Sequence, residues 1–131
     1  MKTAVFARAE QFDAPATPAE ARRLRHQVAK TLADWGFTDR ADDVLSSCAE
    51  LLSNALAYGQ TKVLTVQLAE NEGWLRLAVP DGNPYPPFPA TADRDDEDGR
   101  GISMVAMLAD AWGFRAAGAG KSVFAEFRIE S

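Results

Sequence analysis

The stretch Gly118-Ala119-Gly120-Lys121-Ser122-Val123-Phe124-Ala125-Glu126-Phe127 poses the question on which the fold turns. Its first half, GAGKS, ends as a phosphate-cradling P-loop ends. A P-loop also needs a glycine five residues before the Gly-Lys-Ser, and that position holds Arg115. It needs a helix after the motif as well, so that backbone amides converge on phosphate. Val123-Phe124-Ala125-Glu126-Phe127-Arg128-Ile129 follows instead, an alternating run that reads as a strand. The motif is a loop entering a strand, and any nucleotide has to be held elsewhere.

Working outward, 131 residues with 47% hydrophobic content make one domain, 1–131. Such a chain buries roughly two-thirds of its unfolded surface and needs no staple. A net charge of −5 lacks the basic stripe that neutralises phosphates, so no direct nucleic-acid partner is expected. Cys48 is the single cysteine and falls on an apolar helical face, which points to a reducing, cytoplasmic setting without disulfides or thiolate metal clusters. The N-terminus MKTAVFARAEQF has no signal-peptide core, and no apolar run is long enough for a membrane span.

Thr3 to Ala7 suggests a short edge strand. A first helix is announced by Thr17 as N-cap, Pro18 at the first helical position and Glu20 completing a capping box. Ala21, Leu24, Val28, Leu32 and Trp35 form its apolar stripe, and Gly36 stops it. The spacing predicts a second helix from about Asp39 to Tyr58, with Ala41, Leu45, Cys48, Leu52 and Ala55 inside. The period then changes to two: Leu64, Val66 and Leu68, a turn over Glu70-Asn71-Glu72-Gly73, then Leu75, Leu77 and Val79 make a hairpin. Pro80 to Arg100 holds five of the seven prolines and the acidic run Asp93-Arg94-Asp95-Asp96-Glu97-Asp98, and no regular element fits it. A structureless stretch of about 20 residues inside a domain is a lid, a binding loop or disordered. A short helix after Gly99-Arg100-Gly101, with Ile102, Val105, Ala106 and Ala109 on one face, and strands near Trp112–Ala116 and Ser122–Ile129 complete the chain.

Chemistry gathers at four places. Glu50 and Asn54 lie four apart on the second helix and point the same way, away from the Cys48, Leu52 and Ala55 stripe. They are either solvated surface or an amide oxygen for Mg²⁺ beside a carboxylate base. Asp81 shares parity with Leu75, Leu77 and Val79 and so projects toward the helix-covered face; it is either an Asp-Gly turn or an acceptor for the exocyclic amine of a base. Gly99-Arg100-Gly101 offers bare backbone ahead of a helix N-terminus, suited to phosphate. Ser122 enters the last strand and either joins Asp81 at a base or simply begins the strand.

In this order, Glu-Leu-x-x-Asn-Ala on a helix, Asp after a hairpin strand, Gly-Arg-Gly-Ile, and Gly-Lys-Ser-Val-Phe-Ala-Glu-Phe at the end resemble the GHKL ATPases with the Bergerat fold. More narrowly, the chain is similar to small single-domain anti-sigma-factor serine kinases of the actinobacterial type. The resemblance covers nearly the whole chain. It implies a two-layer α/β sandwich, with a mixed sheet covered on one face by three helices, that binds ATP and Mg²⁺. It implies that Asn54 ligates Mg²⁺, Glu50 is the catalytic base, Asp81 binds the adenine amine, and Gly99, Arg100 and Gly101 close a mobile lid on phosphate. Ser122 would support Asp81 through water, and Lys121 receives no catalytic role.

The implied activity is transfer of the γ-phosphate to a serine or threonine of an anti-anti-sigma-type protein, with a sigma factor as a further partner and a homodimer compatible. The alternative is a module that sequesters a sigma factor or regulator without kinase activity, with or without ATP. Two departures stand out: Gly82 follows Asp81 directly where the family often has glycine two residues on, a place taken here by Asn83, and Arg94 is the only basic residue of the acidic loop before Arg100. His26 is the only histidine, and no phospho-accepting histidine region precedes the site, so a histidine kinase is not expected.

Overall fold

The computed structural model describes residues 8–85 and 104–129. Strand β1 (Arg8–Pro15) leads into α1 (Pro18–Trp35) and α2 (Ala41–Tyr58), followed by β2 (Val63–Asn71), β3 (Trp74–Asp81), the helical residues 104–108 of α3, β4 (Ala111–Ala117) and β5 (Gly120–Arg128). The strand order is β1-β2-β3-β5-β4. α1 and α2 pack on one face, and Leu24, Val28, Leu32, Val44, Cys48 and Leu52 meet Leu64, Val66, Leu75, Leu77, Ala125 and Phe127 in a single core. None of the described helices is long and apolar enough to cross a membrane.

The sheet departs from the mixed one expected, because every described pairing is antiparallel. The crossover after β3 leads to a strand running the same way, but β5 turns back and fills the place between them, so no two neighbours are parallel. β4 and β5 join through Gly118-Ala119, with Gly118 at φ 59 where a two-residue hairpin of this kind demands a residue tolerant of positive φ. GAGKS is thus a hairpin turn and the first residues of a strand. The β2–β3 turn is likewise tighter than predicted, with only Glu72 and Gly73 outside the Asn71–Trp74 pair.

The first helix starts as its sequence says: the Glu20 N–H donates to Thr17 Oγ1 at 3.2 Å, and Gly36 ends it at φ 81. The capping box is only half made, since the Glu20 carboxylate pairs with Arg23 and the Thr17 N–H donates to the Pro15 carbonyl. Thr3–Ala7 lies outside the described residues, and the edge strand is described over Arg8–Pro15. That strand is poorly marked in sequence because only Ala14 is fully buried; its outer face is polar, with Thr65 donating to Asp13 at 2.7 Å and Gln67 to Gln11 at 3.0 Å.

Candidate functional site

α2 buries Val44, Ser47, Cys48, Leu51, Leu52 and Ala55, a stripe turned slightly from the predicted one, since Ala41 and Leu45 are only partly covered. Leu52 and Leu56 border α1 through a groove with Ala21 and Arg25, so α1 occupies one flank of the helix. Glu50 and Asn54 sit half-buried on the opposite flank, which also carries Asp43 seven residues before Glu50. The start of α2 is tied to the end of α3, because Arg40 pairs with Asp43 at 3.1 Å and reaches across to Asp110 at 2.9 Å and the Leu108 carbonyl at 2.9 Å.

Asp81, the last residue of β3, stands beyond the C-terminal end of α2. Two hydrogen bonds tie the two together, the Gly82 N–H donating to the Gly59 carbonyl at 2.7 Å and Asn83 Nδ2 to the Tyr58 carbonyl at 2.7 Å, while the Asn83 N–H donates to Asp81 Oδ1 at 2.8 Å. Asn83, at the place where the family often has glycine, thereby satisfies a helix-end carbonyl and orients the carboxylate. The approach is close enough to exclude side chains. A Cβ on Gly59 would come within 2.8 Å of Asp81 Cβ, and one on Gly120 within 2.7 Å of Gly82 Cα.

The carboxylate is not left free. Lys121 lies directly opposite Asp81 in the β3–β5 register, and its Nζ donates to Asp81 Oδ2 at 3.0 Å, to Oδ1 at 3.2 Å and to the Asn83 carbonyl at 3.1 Å. Both side chains are buried, at 6% exposure for Asp81 and 7% for Lys121. Burying two charges is tolerable only when each is paired and hydrogen-bonded, as here.

Arg40 closes the other end of the site. Besides Asp43, Asp110 and Leu108 it donates to the Arg128 carbonyl at 2.9 Å, and its guanidinium stacks 5.4 Å from the Phe127 ring centre. Asp110 in turn accepts the Arg128 N–H at 2.7 Å. That hydrogen bond first, and the Arg40 guanidinium second, hold the Asp110 carboxyl below its usual range, while Asp110 raises Arg40. By donating to the Leu108 carbonyl at the end of α3 and to the Arg128 carbonyl, Arg40 ties that helix to the start of α2 and to β5.

The structure brings Asp81 to the end of α2, one turn beyond Asn54, as strand parity predicts. Ser122 is not brought there. It shares its face of β5 with Phe124 and Glu126, and lines an open cavity of about 440 Å³ on the uncovered side of the sheet with Gln67, Arg76, Ala78, Arg115 and Phe124. Alternation of side chains puts Lys121, not Ser122, beside Asp81. Gly99, Arg100 and Gly101 lie outside the described residues. Of the residues that sequence reasoning passed over, Lys121 carried a readable signal: it has the parity of Val123, Ala125 and Phe127, and a lysine on a buried strand face needs a buried partner. Arg40 carried none, because its partners lie far along the chain.

The donor set suits Mg²⁺. Asn54 offers a single half-buried amide oxygen one helical turn from Glu50. That suits an ion which keeps its waters and takes substrate phosphates for most of its ligands.

No curated protein matches the chain. Among solved structures, it is similar to the crystal structure of the RsbU and RsbW domains of Rv1364c from Mycobacterium tuberculosis, with a TM-score of 0.71 and 19% identity. The alignment covers 94% of this chain and 33% of that one, so this chain spans about a third of the length of its structural relative, and the likeness is one of fold. The family of the histidine kinase-like ATPase domain matches residues 14–127. With β1, both long helices and the whole described sheet inside or overlapping that match, the chain belongs to the histidine kinase-like ATPase domain family, the GHKL ATPases.

Proposed function

We propose that the chain is an ATP- and Mg²⁺-dependent protein serine/threonine kinase that acts as an anti-sigma factor and phosphorylates an anti-anti-sigma-type partner. The observation that carries this reading is an ATPase-family fold in which Glu50 and Asn54 share one flank of α2 and Asp81 lies at the C-terminal end of that helix. The acid and the amide are half-buried on α2, and the buried carboxylate lies beyond the C-terminal end of that helix. The RsbW domain named in the structural relative supports the anti-sigma part. Bound Mg-ATP supplies the phosphoryl group. Asp81 takes the base end of the nucleotide, Asn54 holds the metal, and Gly99, Arg100 and Gly101 are assigned to phosphate. Glu50 accepts the hydroxyl proton of the incoming serine or threonine as its oxygen bonds to the γ-phosphorus and the bond from that phosphorus to the β–γ bridging oxygen breaks, with ADP leaving.

The test is single-turnover transfer from labelled ATP to candidate anti-anti-sigma proteins of the same source, with nucleotide affinity measured alongside. Glu50→Gln keeps size and hydrogen bonding but loses basicity. Transfer should fall by about 10²–10⁴ with ATP affinity nearly unchanged. Transfer at the parent rate would remove Glu50 as the base. A second reading, a sequestering module without kinase activity, draws support from the Lys121 ammonium already seated on Asp81. It prevails if the parent protein binds a partner tightly and phosphorylates none.

A further inference from the structure

We infer that Lys121 is a specificity-determining residue of the base site: by neutralising Asp81 it removes most of the preference for a purine that carries an exocyclic amine. The inference rests on the nucleotide reading of this site and concerns which purine nucleoside triphosphates the site accepts. An ammonium has three N–H groups, and three acceptors surround Lys121 Nζ at 3.0, 3.2 and 3.1 Å: Asp81 Oδ2, Asp81 Oδ1 and the Asn83 carbonyl. Two of these acceptors belong to one carboxylate, so the cation sits directly on the charge that an amine would otherwise use. A carboxylate has about four acceptor positions; among the described residues Oδ1 is engaged by the Asn83 N–H and Lys121, whereas Oδ2 is engaged by Lys121 alone and keeps one position.

An amine can therefore still donate to Asp81, but to a carboxylate whose charge is cancelled about 3 Å away by a buried cation. Hydrogen bonds to an uncompensated charge are worth about 10- to 150-fold in affinity, and neutral ones about 2- to 12-fold. The pair is built into the sheet rather than fortuitous. Asp81 and Lys121 are partners in the ladder, and the lack of room for a Cβ at Gly120 holds the start of β5 against Asp81 and Gly82.

ATP and purine riboside triphosphate differ only by the exocyclic amine that Asp81 would accept, so their affinity ratio for the full chain, measured by calorimetry with Mg²⁺, reads the effect directly. The expected ratio for the parent is about 2- to 12-fold in favour of ATP; a larger ratio overturns the inference and leaves the ATP reading intact. Lys121→Gln keeps an N–H for Asp81 without the charge, and Lys121→Thr shortens the side chain. In whichever variant retains a cooperative melt, ATP should bind more tightly and the ratio should rise at least about fivefold. An unchanged ratio in a folded variant overturns the inference, and if neither variant folds the parent ratio decides. Binding of ATP by a variant but not by the parent supports it in its strongest form. If neither parent nor variant binds a nucleotide, the ATP reading fails and the inference falls with it.

Discussion

Replacing Asp81 by asparagine tests whether the ion pair at the end of β3 holds the fold as well as the site. Taken from sequence, the substitution looks harmless to folding, because it removes a polar acceptor and no core. Lys121 reverses that expectation. With the carboxylate gone, the ammonium, 7% exposed, retains only the Asn83 carbonyl and a neutral amide oxygen. Removing one partner of a buried ion pair costs about 3–5 kcal/mol, most of it the penalty of the charge left behind. Domains of this size are stable by about 5–15 kcal/mol, so the variant should fold with its thermal midpoint lowered by roughly 10–20 °C. The double variant Asp81→Asn/Lys121→Met removes both charges and should recover most of the loss. Urea denaturation followed by circular dichroism on parent, singles and double closes the cycle. Stability of Asp81→Asn within about 0.5 kcal/mol of the parent, a change typical of surface sites, would refute the reasoning. So would a double variant no more stable than Asp81→Asn alone.

Asn54→Ala should abolish the Mg²⁺ dependence of ATP binding at a stability cost of about 1 kcal/mol or less, measured by calorimetry and thermal melts. Because folding lowers the Asp110 pKa, the unfolded chain takes up that proton first; the stability it contributes is full above the unfolded carboxylate pKa and drains away below about pH 4. Urea midpoints should therefore fall less steeply with acidification in Asp110→Asn than in the parent. Burial pushes the Cys48 thiol up to about 12, so it should resist a thiol reagent at pH 8 in the native protein and react fully in denaturant.

What could be read without coordinates follows from how local the cause is. Thr17, Pro18 and Gly36 act within one turn of their own helix, and the first helix emerged with its predicted start and stop. The alternation of Leu75, Leu77 and Val79 carried Asp81 to the covered face by counting alone. Counting back from Phe127 does the same for Lys121, and the same alternation turns Ser122 to the uncovered face. β1 escaped because an edge strand with one fully buried residue has little apolar alternation to show. Arg40 joins Asp110 and Arg128 across the length of the chain, and no local pattern encodes such a contact.

The β1–β2 register has a kinetic consequence. Hairpins β2–β3 and β4–β5 close over two-residue turns, whereas β1 reaches its place only when Pro15 meets Val63 and Arg8 meets Glu70, with both long helices looped between. The chain entropy of closing that loop is lost before any of its ladder bonds form, which slows such pairings relative to local ones. Substitutions in β1, such as Ala14→Gly, should then leave the refolding rate nearly unchanged and act mainly by speeding unfolding. On this ordering β1 docks only after the two hairpins have closed.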